Sequence, residues 1–240
     1  MTVTPPSPIY RLWNDGLGDH WASVNLLDHM ARLRPASQTI CFTHPDPEKR
    51  ARAREILGLL HDSQVHGATL MCHTGAPDSQ VTDLDGFDVW ATPYFRTKNH
   101  WTLSKMTPTI CVHFDGLSAA SDKNPSLDEQ HQILTWAAAR GLRVVVLGDP
   151  TMSLSWVVTH LATCALFVGC DSGMSHIAHS VGCPTYLLEY NLPVVTCHRN
   201  KNYVLCKGAG HFTQQGDNWL HCMRSALGLL PLNSSLLTPP

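Results

Sequence analysis

The amino-acid sequence predicts an α/β protein of two units, each a parallel sheet with helices on its faces. Three observations carry this reading. Short apolar, strand-like runs alternate with stretches of helical periodicity along most of the chain. The alternation is broken once, by a polar segment at 96–108 without strong period. Each half opens with a strand that runs straight into a loop of small and polar residues. Strands joined by helical crossovers pair in parallel.

In chain order, residues 8–13 read as a short strand, followed by the turn-rich Asn14-Asp15-Gly16-Leu17-Gly18-Asp19. A helix then carries apolar Trp21, Val24, Leu26, Leu27, Met30 and Leu33. A strand at 38–43 comes next, and the Pro45-Asp46-Pro47 turn starts a charged helix over 48–60. A strand at 69–73, a loop rich in Gly, Pro and Asp, and a strand near 87–92 close the first unit. The second unit restarts with a strand at 109–114, a helix at 126–140 capped by Gly141 and a strand at 142–147. A helix at 153–162, a strand at 165–168, a helix at 173–181 and a strand at 185–189 complete its core. A strand at 203–206 and a helix at 217–230 follow. The expected domains are 1–105 and 106–230, with 231–240 as a tail. No repeat of solenoid period is present. Ligands of such sheets sit outside the carboxyl ends of the strands, so a cleft between two facing Rossmann-like units is the expected site.

Composition narrows the partners. Hydrophobic residues make up 43% of the 240, ample for a packed core. The formal net charge of −2 gives no global basic field for nucleic acid or an anionic membrane. No apolar stretch reaches the roughly 18 residues that span a bilayer, so stable membrane insertion is not expected. The first eight residues are polar and Pro-rich, unlike a signal peptide. The nine cysteines include no CxxC pair, and most, such as Cys41 and Cys111, lie inside strand-like runs. That pattern favours reduced, buried thiols and a cytoplasmic location. Of fifteen histidines, only His176 and His179 are close at helical spacing, with no acidic or thiol partner at ligand spacing, so no metal site is expected.

Chemistry concentrates at Phe167-Val168-Gly169-Cys170-Asp171-Ser172-Gly173-Met174-Ser175-His176, followed by Gly182-Cys183-Pro184-Thr185. An apolar strand ends, a small polar turn follows, and a helix begins near Gly173. The first turn of that helix offers N–H groups without intrahelical acceptors and the positive end of its dipole. Ser172 and Gly173 are small enough to let an anion approach the backbone. The same residues also fit an ordinary strand–turn–helix with Asp171 or Ser172 as N-cap, and the pattern alone leaves the two readings even.

Asp-Ser-Gly-x-x-His-x-Ala, then Gly-x-Pro-Thr and an apolar strand, resembles the donor-site signature of the heptosyltransferase-like family 9 of GT-B glycosyltransferases. Gly16-Leu17-Gly18-Asp19 resembles that family's N-terminal Gly-x-Gly-Asp loop, and Ser121-Asp122-Lys123-Asn124-Pro125 its Ser-x-x-Lys-x-Trp-Pro segment. The three motifs fall in register over most of the chain. Two departures accompany them. Asn124 stands where the family has Trp, and family members are longer, which points to a reduced N-terminal, acceptor-side half.

The resemblance implies an inverting, metal-independent transfer of a sugar from a nucleotide-diphosphate donor to an acceptor hydroxyl, with no further cofactor. Asp19 would be the general base, in a loop with Gly16 and Gly18. Lys123 would neutralise the leaving diphosphate, with Ser121 as a further phosphate contact. Ser172 and Gly173 would cradle the phosphates, and Asp171 would hold a sugar or ribose hydroxyl. His176, one turn into the helix, either donates to a phosphate or packs. The acceptor stays open among a glycan, a protein side chain and a modified DNA base, and so does the oligomeric state. Asp83-Leu84-Asp85 has the DxD form of a metal site, but a short acidic loop is the commoner origin of that string. A nucleotide-sugar hydrolase or epimerase, or a non-catalytic nucleotide-sugar-binding module, would show the same anion site.

Overall fold

The computed structural model describes residues 7–12, 14, 16–33, 39–60, 69–73, 77–84, 87, 89, 97–116, 124–189 and 203–207. Ser121, Lys123, the expected helix at 217–230 and the tail lie outside the described residues. Two compact units divide between Lys98 and Asn99. The division falls ahead of 105/106 because 99–107 is tied to the second unit. Trp101 donates its backbone N–H to Val181 O (2.9 Å) and its indole N–H to Cys164 O (2.8 Å), and Thr107 N–H bonds Thr163 O (2.7 Å).

In the first unit, β1 (Ile9–Arg11), α1 (Leu17–Arg32), β2 (Thr39–Thr43), α2 (Pro47–Leu59), β3 (Thr69–Cys72) and β4 (Val81–Asp83) follow in order. The sheet order is β3-β2-β1-β4, parallel throughout. α1 buries Trp21, Val24, Leu27 and Ala31. Asp46 caps α2 by accepting from Glu48 N–H at 2.8 Å, with Pro47 at the first helical position.

Two expectations shift here. The fourth strand lies at Val81–Asp83, in the stretch read as loop, rather than near 87–92; Val89 N–H instead bonds Phe87 O in a turn (3.0 Å), and 90–92 lie outside the described residues. A three-residue edge strand, Val81-Thr82-Asp83, is too short for a periodic signal, and Arg11 holds its register through Asp78 (2.7 Å) and Asp83 (3.3 Å). Asp83 is thus engaged in an ion pair. Helix α1 also starts at Leu17, so Gly18 and Asp19 sit inside its first turn instead of in a loop. A carboxylate at the third helical position interacts favourably with the helix dipole, which lets the helix extend to that point.

In the second unit, β5 (Thr109–His113), α3 (Leu127–Ala139), β6 (Arg143–Val146), α4 (Leu154–Leu161), β7 (Leu166–Cys170), α5 (Gly173–Val181), β8 (Thr185–Glu189) and β9 (Tyr203–Lys207) follow. The order is β6-β5-β7-β8-β9, again all parallel. Ser126 and Glu129 form a capping box on α3, and Gly141 closes that helix with φ +64. Ile110, Val112, Ile133, Trp136, Leu166, Val168, Tyr186 and Leu188 form the core, with Trp101 packed against it. The α/β class with two Rossmann-like parallel sheets therefore holds, and among the described residues the first sheet has four strands against five in the second. Among the described residues no helix is long and apolar enough to cross a membrane.

Candidate functional site

In the second unit the chain enters at β5, moves to β6 on one side, and returns to β7 on the other. The strand order therefore reverses between β5 and β7, and at such a switch point the loops leaving the two strands diverge and open a crevice. One of these loops carries Asp171 and Ser172. The other carries Ser121 and Lys123, whose positions lie outside the described residues. The base of that second loop is closed by Asn124, which accepts from Gly116 N–H (2.8 Å) and donates to Gly116 O (3.3 Å). Asn124 therefore clamps the start and end of that loop together.

At the start of α5, Ser172 is the N-cap, with extended backbone. Its carbonyl accepts from Ser175 N–H (3.0 Å), and Ser175 Oγ accepts from Ser172 N–H (3.2 Å). The N–H groups of Gly173 and Met174 open the helix and have no intrahelical acceptor. Asp171 turns toward this first helical turn. Its carboxylate accepts from Ser175 Oγ (3.5 Å) and lies 3.8 Å from Nε2 of His176, which is buried. The structure thus brings Asp171, Ser172, Gly173 and His176 together. Asp149, on the loop after β6, is exposed and accepts from Thr151 N–H (2.8 Å) and Oγ1 (2.6 Å); these bonds hold its carboxyl below the ordinary range.

His113 was not marked by the sequence reading. It ends β5 in register with Gly169, and its Nδ1 lies 2.9 Å from Ser172 Oγ and 3.9 Å from Cys170 Sγ. Two glycines make room for it. A Cβ on Gly148 would stand 2.7 Å from the ring's Cδ2 and Nε2, and a Cβ on Gly169 would stand 2.5 Å from its carbonyl oxygen. The available signal was a polar ring ending a buried strand, with Gly148 and Gly169 near the ends of both flanking strands.

In the first unit, Gly16, Gly18 and Asp19 stand together at the carboxyl end of β1, where α1 begins. Gly16 has φ −72, which any residue adopts, yet a Cβ there would lie 2.7 Å from Asp19 Oδ2. Its lack of a side chain is what accommodates the carboxylate. His20 is fully buried; its Nε2 lies 3.1 Å from the carbonyl of Asn14, a residue with left-handed backbone (φ +48). The His20 ring is 5.4 Å from that of His44, whose Nδ1 accepts from Asp46 N–H (3.0 Å).

A parallel α/β unit with a small-residue helix start at its switch point has a Rossmann-like layout. Residues 126–188, from the cap of α3 into β8, match the family model of glycosyltransferase family 9 (heptosyltransferase), and this bears out the resemblance drawn from the sequence. No curated protein sequence matches the chain. The iron-containing dodecameric glycosyltransferase TibC of enterotoxigenic E. coli H10407 superposes with a TM-score of 0.53 at 14% identity, over 75% of this chain and 57% of that one. TibC in complex with ADP-D-beta-D-heptose gives 0.50 at 13%, over 76% and 58%. E. coli heptosyltransferase WaaC with ADP gives 0.49 at 13%, over 92% and 98%. The chain thus spans less than two thirds of the TibC chains. Among the described residues no group of three His, Cys, Asp or Glu stands together as a metal-ligand set.

Proposed function

We propose that the chain is a glycosyltransferase of the family 9 type, moving a sugar from a nucleotide-diphosphate donor to an acceptor hydroxyl with inversion and without a metal. One observation carries this. The family match encloses the 171–173 loop, and that loop leaves the strand at the switch point of its sheet.

The diphosphate would lie against the Gly173 and Met174 N–H groups and Ser172, with Lys123 and Ser121 approaching from the loop after β5. Oriented amides and a cation stabilise the charge that develops on the leaving oxygen. The acceptor oxygen attacks the anomeric carbon and gives its proton to the Asp19 carboxylate. The bond to the diphosphate breaks, and its electrons leave on the phosphate oxygen. Asp171 would take a ribose or sugar hydroxyl, and His176, held beside it, would fix its orientation. The acceptor is a glycan, a protein side chain or a modified DNA base, and the setting is the cytoplasm.

The test is a thermal-shift panel of ADP-, UDP-, GDP-, CMP- and dTDP-sugars, followed by Asp19→Asn. Ligands that bind the native state raise its stability, so one donor should raise Tm. Asp19→Asn should keep that shift and lower transfer by about 10²–10⁴-fold. No shift with any donor overturns the proposal. Donor turnover that ignores acceptor, or a shift without turnover, points respectively to the hydrolase or to the binding module.

A further inference from the structure

We infer that His113 is a positioning residue that turns the Ser172 hydroxyl into a hydrogen-bond donor for the donor substrate's diphosphate. The inference rests on the diphosphate reading above and adds the group that orients its serine.

The packing around His113 is specific. The ring is buried, and its place exists because Gly148, on the loop after β6, lacks a side chain, while Gly169 on β7 leaves room for the His113 carbonyl. The register with Gly169 puts it at the strand end directly before the 171–173 turn. From there Nδ1 reaches Ser172 Oγ at 2.9 Å, a full hydrogen-bond contact.

A serine hydroxyl has one proton and two lone pairs. Where Ser172 donates its proton to Nδ1, Oγ meets an incoming anion with lone pairs only, and the contact is repulsive. Where Nδ1–H donates to Oγ instead, the hydroxyl proton is left to point at a phosphate oxygen. Placing an anion at the start of α5 therefore selects the Nδ1–H form of His113. The hydroxyl then adds a third donor to the Gly173 and Met174 N–H groups. Buried supports of this kind hold a contact group in its productive rotamer.

The experiment is calorimetric titration of the full chain with ADP, using variants that differ only in where an N–H is offered. His113→Asn carries an amide N–H near the Nδ1 position and should bind within about threefold of wild type. His113→Gln places its N–H near Nε2, and His113→Phe offers none while keeping a ring. Both should lose about tenfold, the size of one hydrogen bond to a charged group. Ser172→Ala should lose a similar factor, and Ser172→Ala combined with His113→Gln should be no weaker than either alone, because the two act as one unit. Equal binding by the Asn and Gln variants, or independent losses that multiply in the double variant, would overturn the inference while leaving the diphosphate site standing. Absence of ADP binding by the wild type, where another nucleoside diphosphate from the panel binds, moves the titration to that nucleotide. Absence of binding with all of them overturns the diphosphate reading and this inference with it.

Discussion

Replacing Gly16 by Ala separates the position of the proposed base from the stability of its helix. The new Cβ would stand 2.7 Å from Asp19 Oδ2 and 3.5 Å from its Cγ. Carbon–oxygen contacts become comfortable near about 3.4 Å, so the carboxylate oxygen must retreat by about 0.7 Å. Backbone strain plays no part, since φ −72 suits alanine. An N-cap alanine is poorer than glycine by up to about 1 kcal/mol, while the stiffer unfolded chain returns about 0.4–1 kcal/mol. Tm should therefore stay within about 4 °C of wild type. Misplacing a reacting group by about 1 Å costs roughly 10²-fold, so kcat should fall by about 10- to 100-fold with donor affinity unchanged. The assay is release of nucleoside diphosphate from the donor that the thermal-shift panel selects, with thermal unfolding run alongside. Full activity in Gly16→Ala would refute the claim that the Asp19 carboxylate is placed by the space above Gly16.

Three further predictions concern the second unit. Gly169→Ala would drive a Cβ to 2.5 Å from His113 O and 2.8 Å from the Phe167 ring, so it should cost about 1–3 kcal/mol of stability, read by urea unfolding. Burial lowers the pKa of His179 from 6.5 to about 4, so the folded state holds it neutral where the unfolded chain begins to protonate. Its contribution is complete above pH 6.5 and is lost as pH falls toward 4, by up to about 1.4 kcal/mol per pH unit. His179→Gln should flatten unfolding free energy across that window. The thiols of Cys111 and Cys164 are both pushed up, Cys111 by its hydrogen bond with Cys164 and by burial, Cys164 chiefly by burial. Neither should react with a disulfide reagent at pH 8 until the chain unfolds.

The legible parts of the sequence were those where several signals agreed. Helix α5 matches its expected bounds because a small-residue start, an apolar face and Gly182 at φ +78 mark both ends. The helix around Ile133 and Trp136 was legible for the same reason, bounded by Ser126 and Gly141. β4 was illegible because it is only three residues long, two of them polar, and Asp83 ion-pairs with Arg11, which is a tertiary fact. The start of α1 was missed because Gly16 and Gly18 read as turn residues, although only Gly16 lies outside the helix. His113 carried no motif. It gains meaning only once β5 and β7 are known to be neighbours and the Ser172 turn closes over it.

A diphosphate seated at the start of α5 would be displaced by the substitution Ser172→Asp. Aspartate caps a helix N-terminus as well as serine and favours its dipole, so the variant should unfold at or above the wild-type temperature. The same carboxylate would occupy the anion's place and repel it. Titrated with the nucleoside diphosphate that the wild type binds, Ser172→Asp should lose at least about 30-fold in affinity, since juxtaposed like charges oppose each other by several kcal/mol. A folded Ser172→Asp protein that binds this nucleotide as tightly as wild type would contradict the account.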